Sequence, residues 1–108
     1  MSQRKFTKRD GQRLHAKARA RQRFGIEFTS EVVRNILRQI QYEGAHRLAV
    51  ISNTRSVFQV EACGKVLAVV YDNTRKSICT VLPKGWWNHM AHMRDVNIKY
   101  LDEYKEKE

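Results

Sequence analysis

The chain predicts an α+β fold: two N-terminal helices packed on a four-stranded antiparallel sheet, followed by a C-terminal helix. Three observations carry this expectation. Apolar residues recur at helical spacing up to about Gly44, short β-branched and apolar runs replace that period between Arg47 and Leu82, and turn residues rather than crossover helices separate the runs. The 108 residues suffice for one domain with its own core, with no second lobe to enclose a cofactor, and none is expected.

The first helix is expected from about Asp10 to Phe24, a stretch of helix formers stopped by Gly25, with residues 1–9 as a basic arm ahead of it. Leu14, Ala18, Arg21 and Phe24 supply its inward stripe. That register sets His15, Arg19 and Arg23, at i, i+4 and i+8, along a flank beside the core. The second helix follows Thr29 as N-cap, with Glu31 in the first turn. Val32, Val33, Ile36, Leu37 and Ile40 form its wide apolar face, which ends near Gly44.

Four strands are expected next, at Arg47–Asn53, Ser56–Cys63, Lys65–Asp72 and Lys76–Leu82. The turns Cys63-Gly64-Lys65 and Asp72-Asn73-Thr74-Arg75 suit hairpins, so the order is a meander. VLAVVY and ICTVL are apolar on both faces and belong in the middle of the sheet. In the last strand strict alternation groups Ile78, Thr80 and Leu82 on one face and Cys79 and Val81 on the other. Pro83 and Gly85 close the sheet, which bounds a core at residues 10–84. A final helix is expected at 86–104, with Met90, Met93, Val96 or Asn97, Tyr100 and Tyr104 in line, and a frayed tail at 105–108.

Composition narrows the function classes. Two cysteines, Cys63 and Cys79, make neither a disulfide framework nor a zinc pattern; both are expected as buried strand thiols in a reduced, cytoplasmic protein. The longest apolar runs fall far short of the roughly 20 residues that span a bilayer, and the charged N-terminus has no apolar run behind it, so neither a membrane segment nor a secretory signal is expected. His89 and His92 stand at i, i+3 without a third ligand at suitable spacing, and no metal site is expected.

Charge is the strongest signal. The first 24 residues carry nine lysines and arginines against one acid, hence eight of the ten net positive charges. Such crowding repels itself, so a polyanionic partner explains it better than a solvated face does. Nucleic acid is the expected partner, held by Arg9, Arg13, Lys17, Arg21, Arg23 and Lys84. Trp86 and Trp87 beside Lys84 either stack on unpaired bases or pack the final helix onto the sheet; Trp86 is counted with the binding set.

A basic helix carrying His15, Ala16, Arg19, Arg23, Gly25 and Ile26, then Val69–Asp72, then Thr80, Val81 and Pro83, resembles a known pattern over about residues 13–84. It is similar to the superfamily of small ribonucleases and toxins that unites barnase, EndoU, the tRNA-cutting colicins and RelE, especially its phage-encoded and contact-dependent-toxin branches. There an early helix reads roughly HAxxRxxxRxGI and a late strand ends in a TVxP-like stretch. The resemblance implies a ribonuclease site across the first helix and the sheet, with His15, an arginine such as Arg19 or Arg23, and Thr80 as candidates; Arg19 is placed in the catalytic set. The chain departs from a two-histidine site, since His46 precedes the first strand and His89 and His92 lie beyond Pro83.

Metal-independent RNA cleavage needs a base for the 2′-OH, a proton for the departing 5′-oxygen and cations for the charge that builds on phosphorus. His15 and its neighbouring arginines supply the first and third. A hydroxyl at Thr80, or the ammonium of Lys65 or Lys84, is available to orient the phosphate. The resulting expectation is an RNA-binding protein of ribonuclease-like fold that cuts tRNA or other structured RNA by histidine chemistry. The alternative is a non-catalytic, phage-encoded binding protein that occupies nucleic acid or inhibits a host protein; a cognate inhibitor protein is a further expected partner.

Overall fold

A computed structural model describes residues 7–89 and 98–107, with side chains from Tyr100 onward in the last segment. Helix α1 (Lys8–Phe24) begins two residues earlier than the composition indicates, because Thr7 and Asp10 form a capping box. The Thr7 hydroxyl accepts from the Asp10 N–H at 3.2 Å, and the Asp10 carboxylate accepts from the Thr7 N–H at 3.0 Å. Lys8 and Arg9 therefore belong to the helix, while the rest of the expected arm, residues 1–6, lies outside the described residues. Gly25, at φ 66°, ends α1 in the left-handed conformation, with N–H groups of Gly25 and Ile26 returning to the carbonyls of Arg21 and Ala20.

Helix α2 (Ser30–Gln41) is capped by the Thr29 hydroxyl. Strands β1 (Arg47–Val50), β2 (Arg55–Ala62), β3 (Lys65–Asp72) and β4 (Ser77–Val81) form the expected antiparallel meander in the order β1-β2-β3-β4. Ala62 pairs with Lys65, leaving Cys63 and Gly64 as a two-residue turn with φ of 52° and 75°. Both positive values are what a type I′ hairpin demands. Cys63 is thus exposed in a turn rather than buried in a strand; only Cys79 of the two is buried.

The core has two parts, one on each face of the sheet. Ala16 and Ala20 of α1 and Ile36 of α2 pack with Val60, Leu67, Val69, Ile78 and Val81 on one face. On the other, Trp86 and, from helix α3 (Ile98–Lys107), Leu101 and Tyr104 cover Leu48, Val57, Ala68, Val70, Cys79 and Leu82. The expected continuous helix at 86–104 is instead a short 3₁₀ turn at Trp86–His89 and α3; residues 90–97, with Met90, His92, Met93, Val96 and Asn97, lie outside the described residues. The expected tail stays helical through Lys107, because Leu101 and Tyr104 anchor the helix.

Two further expectations are corrected by packing. The buried stripe of α1 is Ala16 and Ala20 rather than Leu14 and Ala18: Leu14 is 57% exposed, whereas the alanines are at most 1% exposed. α1 lies along β4, and small side chains permit that approach where a leucine would hold the helix off. In β4, a β-bulge between the pairs Val70–Thr80 and Tyr71–Ile78 breaks the alternation. The extra residue places Ile78 and Val81 on the helix-covered face, and Cys79 and Leu82 on the other.

Candidate nucleic-acid interface and catalytic groove

The row that organises the site is set by sheet register. Asp72, at the end of β3, stands opposite Arg55 of β2 and Ser77 of β4. Its side chain is fully buried, an arrangement that costs several kcal/mol for a carboxylate unless its lone pairs are used. Here the carboxylate is well supplied. Oδ1 accepts from the N–H groups of Thr74 and Arg75 at 2.9 and 3.1 Å, in the tight turn that follows β3. Oδ2 accepts from the Gln12 amide at 3.0 Å and the Arg75 guanidinium at 3.0 Å, with the Arg55 Nε at 3.9 Å. Burial by itself pushes this carboxyl upward, but the hydrogen bonds from Gln12, Arg75 and Thr74 together outweigh it and lower its pKa from 3.8 to about 2.

Gln12 ties this row to α1, since its carbonyl oxygen also accepts from the Ser77 hydroxyl. About 16 Å further along the helix, the Arg23 guanidinium donates to the Val81 carbonyl at 2.6 Å. Burial, and then the charge of Arg19, lower the Arg23 pKa, which leaves a guanidinium still charged. With α1 pinned to β4 at both ends, its rotation about its own axis is fixed. His15, one turn beyond Gln12, is then held exposed beside the sheet edge.

There it lines a groove of about 430 Å³ together with Gly11, Gln12, Arg55 and Thr80, over an apolar floor of Ile51, Val70, Cys79 and Leu82. The bulge in β4 matters here, because it lets Thr80 and Cys79 line the same groove despite being adjacent. Thr80 is half-buried, and His15 and Arg55 are exposed. Burial chiefly raises the Cys79 pKa, against the opposing pull of Arg55, so its thiol stays protonated and is a poor nucleophile. The groove thus offers an imidazole, a guanidinium and a hydroxyl, with its chemistry confined to one side of α1.

Of the expected catalytic set, the structure brings His15 and Thr80 to one groove and leaves Arg19 out of it. Arg19 instead donates to the Gln22 amide oxygen at 2.7 Å. The guanidinium of the groove is Arg55, which sequence reading missed, together with Asp72, 3.9 Å from its Nε, and Gln12, which donates to Asp72. A signal existed: Asp72 is the acid that ends the apolar run VVYD in a chain of net charge +10, and such an acid is expected to be paired. Among the expected binding residues, Arg9, Arg13, Lys17 and Lys84 are exposed, while Arg21 is also exposed and lies 3.8 Å from Glu27. Trp86 is corrected outright. It is 1% exposed and packs edge-on against Trp87 and Tyr104, so it has no face to offer a base. Trp87 is half-buried, with the Lys105 ammonium 5.2 Å from its ring centre. His46 stacks on Tyr100, with ring centres 4.1 Å apart.

The charges are segregated. Glu31, Glu43 and Glu61 line a separate groove with His46, whereas Arg9, Arg13, Lys17 and Arg21 of α1 are exposed and Arg23 reaches the Val81 carbonyl. No described helix is long and apolar enough to cross a membrane. The chain matches no family model, no curated protein and no solved structure in the comparisons made.

Proposed function

We propose that this protein binds RNA along α1 and cleaves it, without a metal, in the His15 groove. The observation that supports this most is the sharing of one groove by His15, Arg55 and Thr80 at the edge of a helix rich in cations. In this reading His15 takes the 2′-OH proton, the O2′–P bond forms, and the P–O5′ bond breaks to leave a 2′,3′-cyclic phosphate. Arg55 meets the charge that develops on the phosphoryl oxygens, Thr80 orients them, and water protonates the departing 5′-oxygen. Asp72 acts through Arg55 and Gln12 as a positioning residue. The resemblance to the barnase, EndoU, colicin and RelE superfamily supports the same chemistry. It suggests tRNA or another structured RNA as substrate and the cytoplasm as the setting.

The test is a cleavage assay on total tRNA in EDTA. Products ending in 2′,3′-cyclic phosphate are expected, and His15→Ala should slow cutting by at least ~100-fold, the scale of a lost general base, while RNA affinity changes little. Arg55→Gln should slow cutting by a similar factor. Protein that retards RNA on a gel but leaves it intact eliminates the enzymatic reading. That outcome leaves the alternative of a non-catalytic binding protein that occupies nucleic acid or a host protein.

A further inference from the structure

A second opening lies on the other flank of α1, and the cleavage reading does not use it. It is a pocket of about 360 Å³ between α1, α2 and the β3–β4 turn, within the range of about 300–1,000 Å³ typical of small-ligand sites. Its floor is apolar, made by Ala16, Phe28, Val33, Leu37 and Ile78. Its rim carries Arg9, Arg13, Arg34 and Lys76, all exposed, and no carboxylate lines it among the described residues. Arg9 and Arg13 are one turn apart on α1, a like-charge pair that weakens a helix in the absence of a counter-ion. Lys76 is held at the rim by a left-handed backbone, φ 51°, in the turn after β3.

We infer that this pocket receives one unpaired nucleotide of an RNA strand, base on the apolar floor and flanking phosphates on the cationic rim. A bare phosphate would leave the floor unused, and a single-headed fatty acid would leave most of four cations uncompensated. A nucleotide within a strand uses both, because it brings a flat ring and more than one phosphate, and arginine planes stack on bases as well as pairing with phosphates. The strand would continue onto the exposed cations of α1. The assignment rests on the nucleic-acid half of the function proposed above and is independent of its cleavage half.

The test is an amide NMR titration of the full chain with 5′-AMP, adenosine, inorganic phosphate and oleate, followed by a short single-stranded RNA. AMP and RNA should move the amide signals of Ala16, Val33 and Ile78, with AMP binding at least ~10-fold tighter than adenosine or phosphate, as a charged partner joined to an apolar one predicts. Val33→Trp, which fills the pocket, and Arg34→Glu, a surface change that leaves the core alone, should each weaken AMP binding by ~10-fold or more. His15→Ala should leave it unchanged. Phosphate binding as tightly as AMP, oleate moving these signals where AMP does not, AMP moving only Thr80 and Leu82, or indifference to Arg34→Glu each overturns the assignment. The tRNA cleavage assay is read separately, so loss of the pocket and loss of catalysis are distinguishable.

Discussion

Asp72→Asn is the most informative substitution, because Asp72 joins three strands and α1 in one network. The side chain keeps its shape and its hydrogen bonds from Thr74 and Arg75 N–H, but an amide NH₂ now faces the donors of Gln12 and Arg75. The carboxyl pKa falls from 3.8 to about 2 on folding. At about 1.4 kcal/mol per unit this contributes about 2 kcal/mol of stability. The side chains of Arg55 and Arg75 remain 47% and 34% exposed. Losing the carboxylate therefore leaves no bare cation buried, and the cost stays near ~2 kcal/mol rather than the ~3–5 kcal/mol of a broken buried pair. For a domain of this size that is a fall in Tm of roughly 10 °C at pH 7.

The sign with pH follows from the direction of the shift. A carboxyl whose pKa is lowered by folding contributes fully above its unfolded value near 4, and the contribution is lost as pH falls through about 2. Urea unfolding of wild type and Asp72→Asn at pH 7, 4 and 2 should show a gap that is large at pH 7 and narrowed at pH 2, while Glu61→Gln, an exposed control, stays within ~0.5 kcal/mol throughout. A gap under ~0.5 kcal/mol at pH 7, or one that persists undiminished at pH 2, would refute the network as the source of stability.

Three further outcomes are expected. Ala20→Leu should destabilise the fold by ~1–3 kcal/mol through overpacking against β4, whereas Ala18→Leu on the exposed side should change stability by less than ~0.5 kcal/mol; thermal melts of the pair read the helix register directly. Trp86→Ala should cost ~3–5 kcal/mol in unfolding free energy, yet leave the salt dependence of RNA binding unaltered under conditions where the variant is folded, since that slope counts phosphate contacts. Cys63→Asn should raise stability by ~0.5 kcal/mol, because asparagine tolerates the left-handed position of a type I′ turn better than a thiol side chain does; a lower midpoint in urea would contradict the turn assignment.

Local chemistry was legible in the chain alone. Thr29 as a cap, Gly25 as a stop, the two hairpin turns and the period change after Gly44 depend on residues a few positions apart, so they fixed the element order and the meander before any packing was known. The charge imbalance was equally plain, as were His15 and Thr80 as candidate residues. The rotation of α1 was not legible, because few of its residues are apolar. What decides the matter is which of them fits against β4, and Ala16 and Ala20 fit where Leu14 does not. Nor was the partnership of Arg55 with Asp72, which depends on strand register across residues far apart in sequence. The bulge at Cys79 belongs to the same class: alternation places Thr80 with Ile78, and only pairing with β3 brings it to the groove that His15 lines. The sequence by itself determined the elements and the charge, because these follow from neighbours along the chain. Tertiary structure alone decided which side chains meet, because register and close approach are set by the shape of the partner surface.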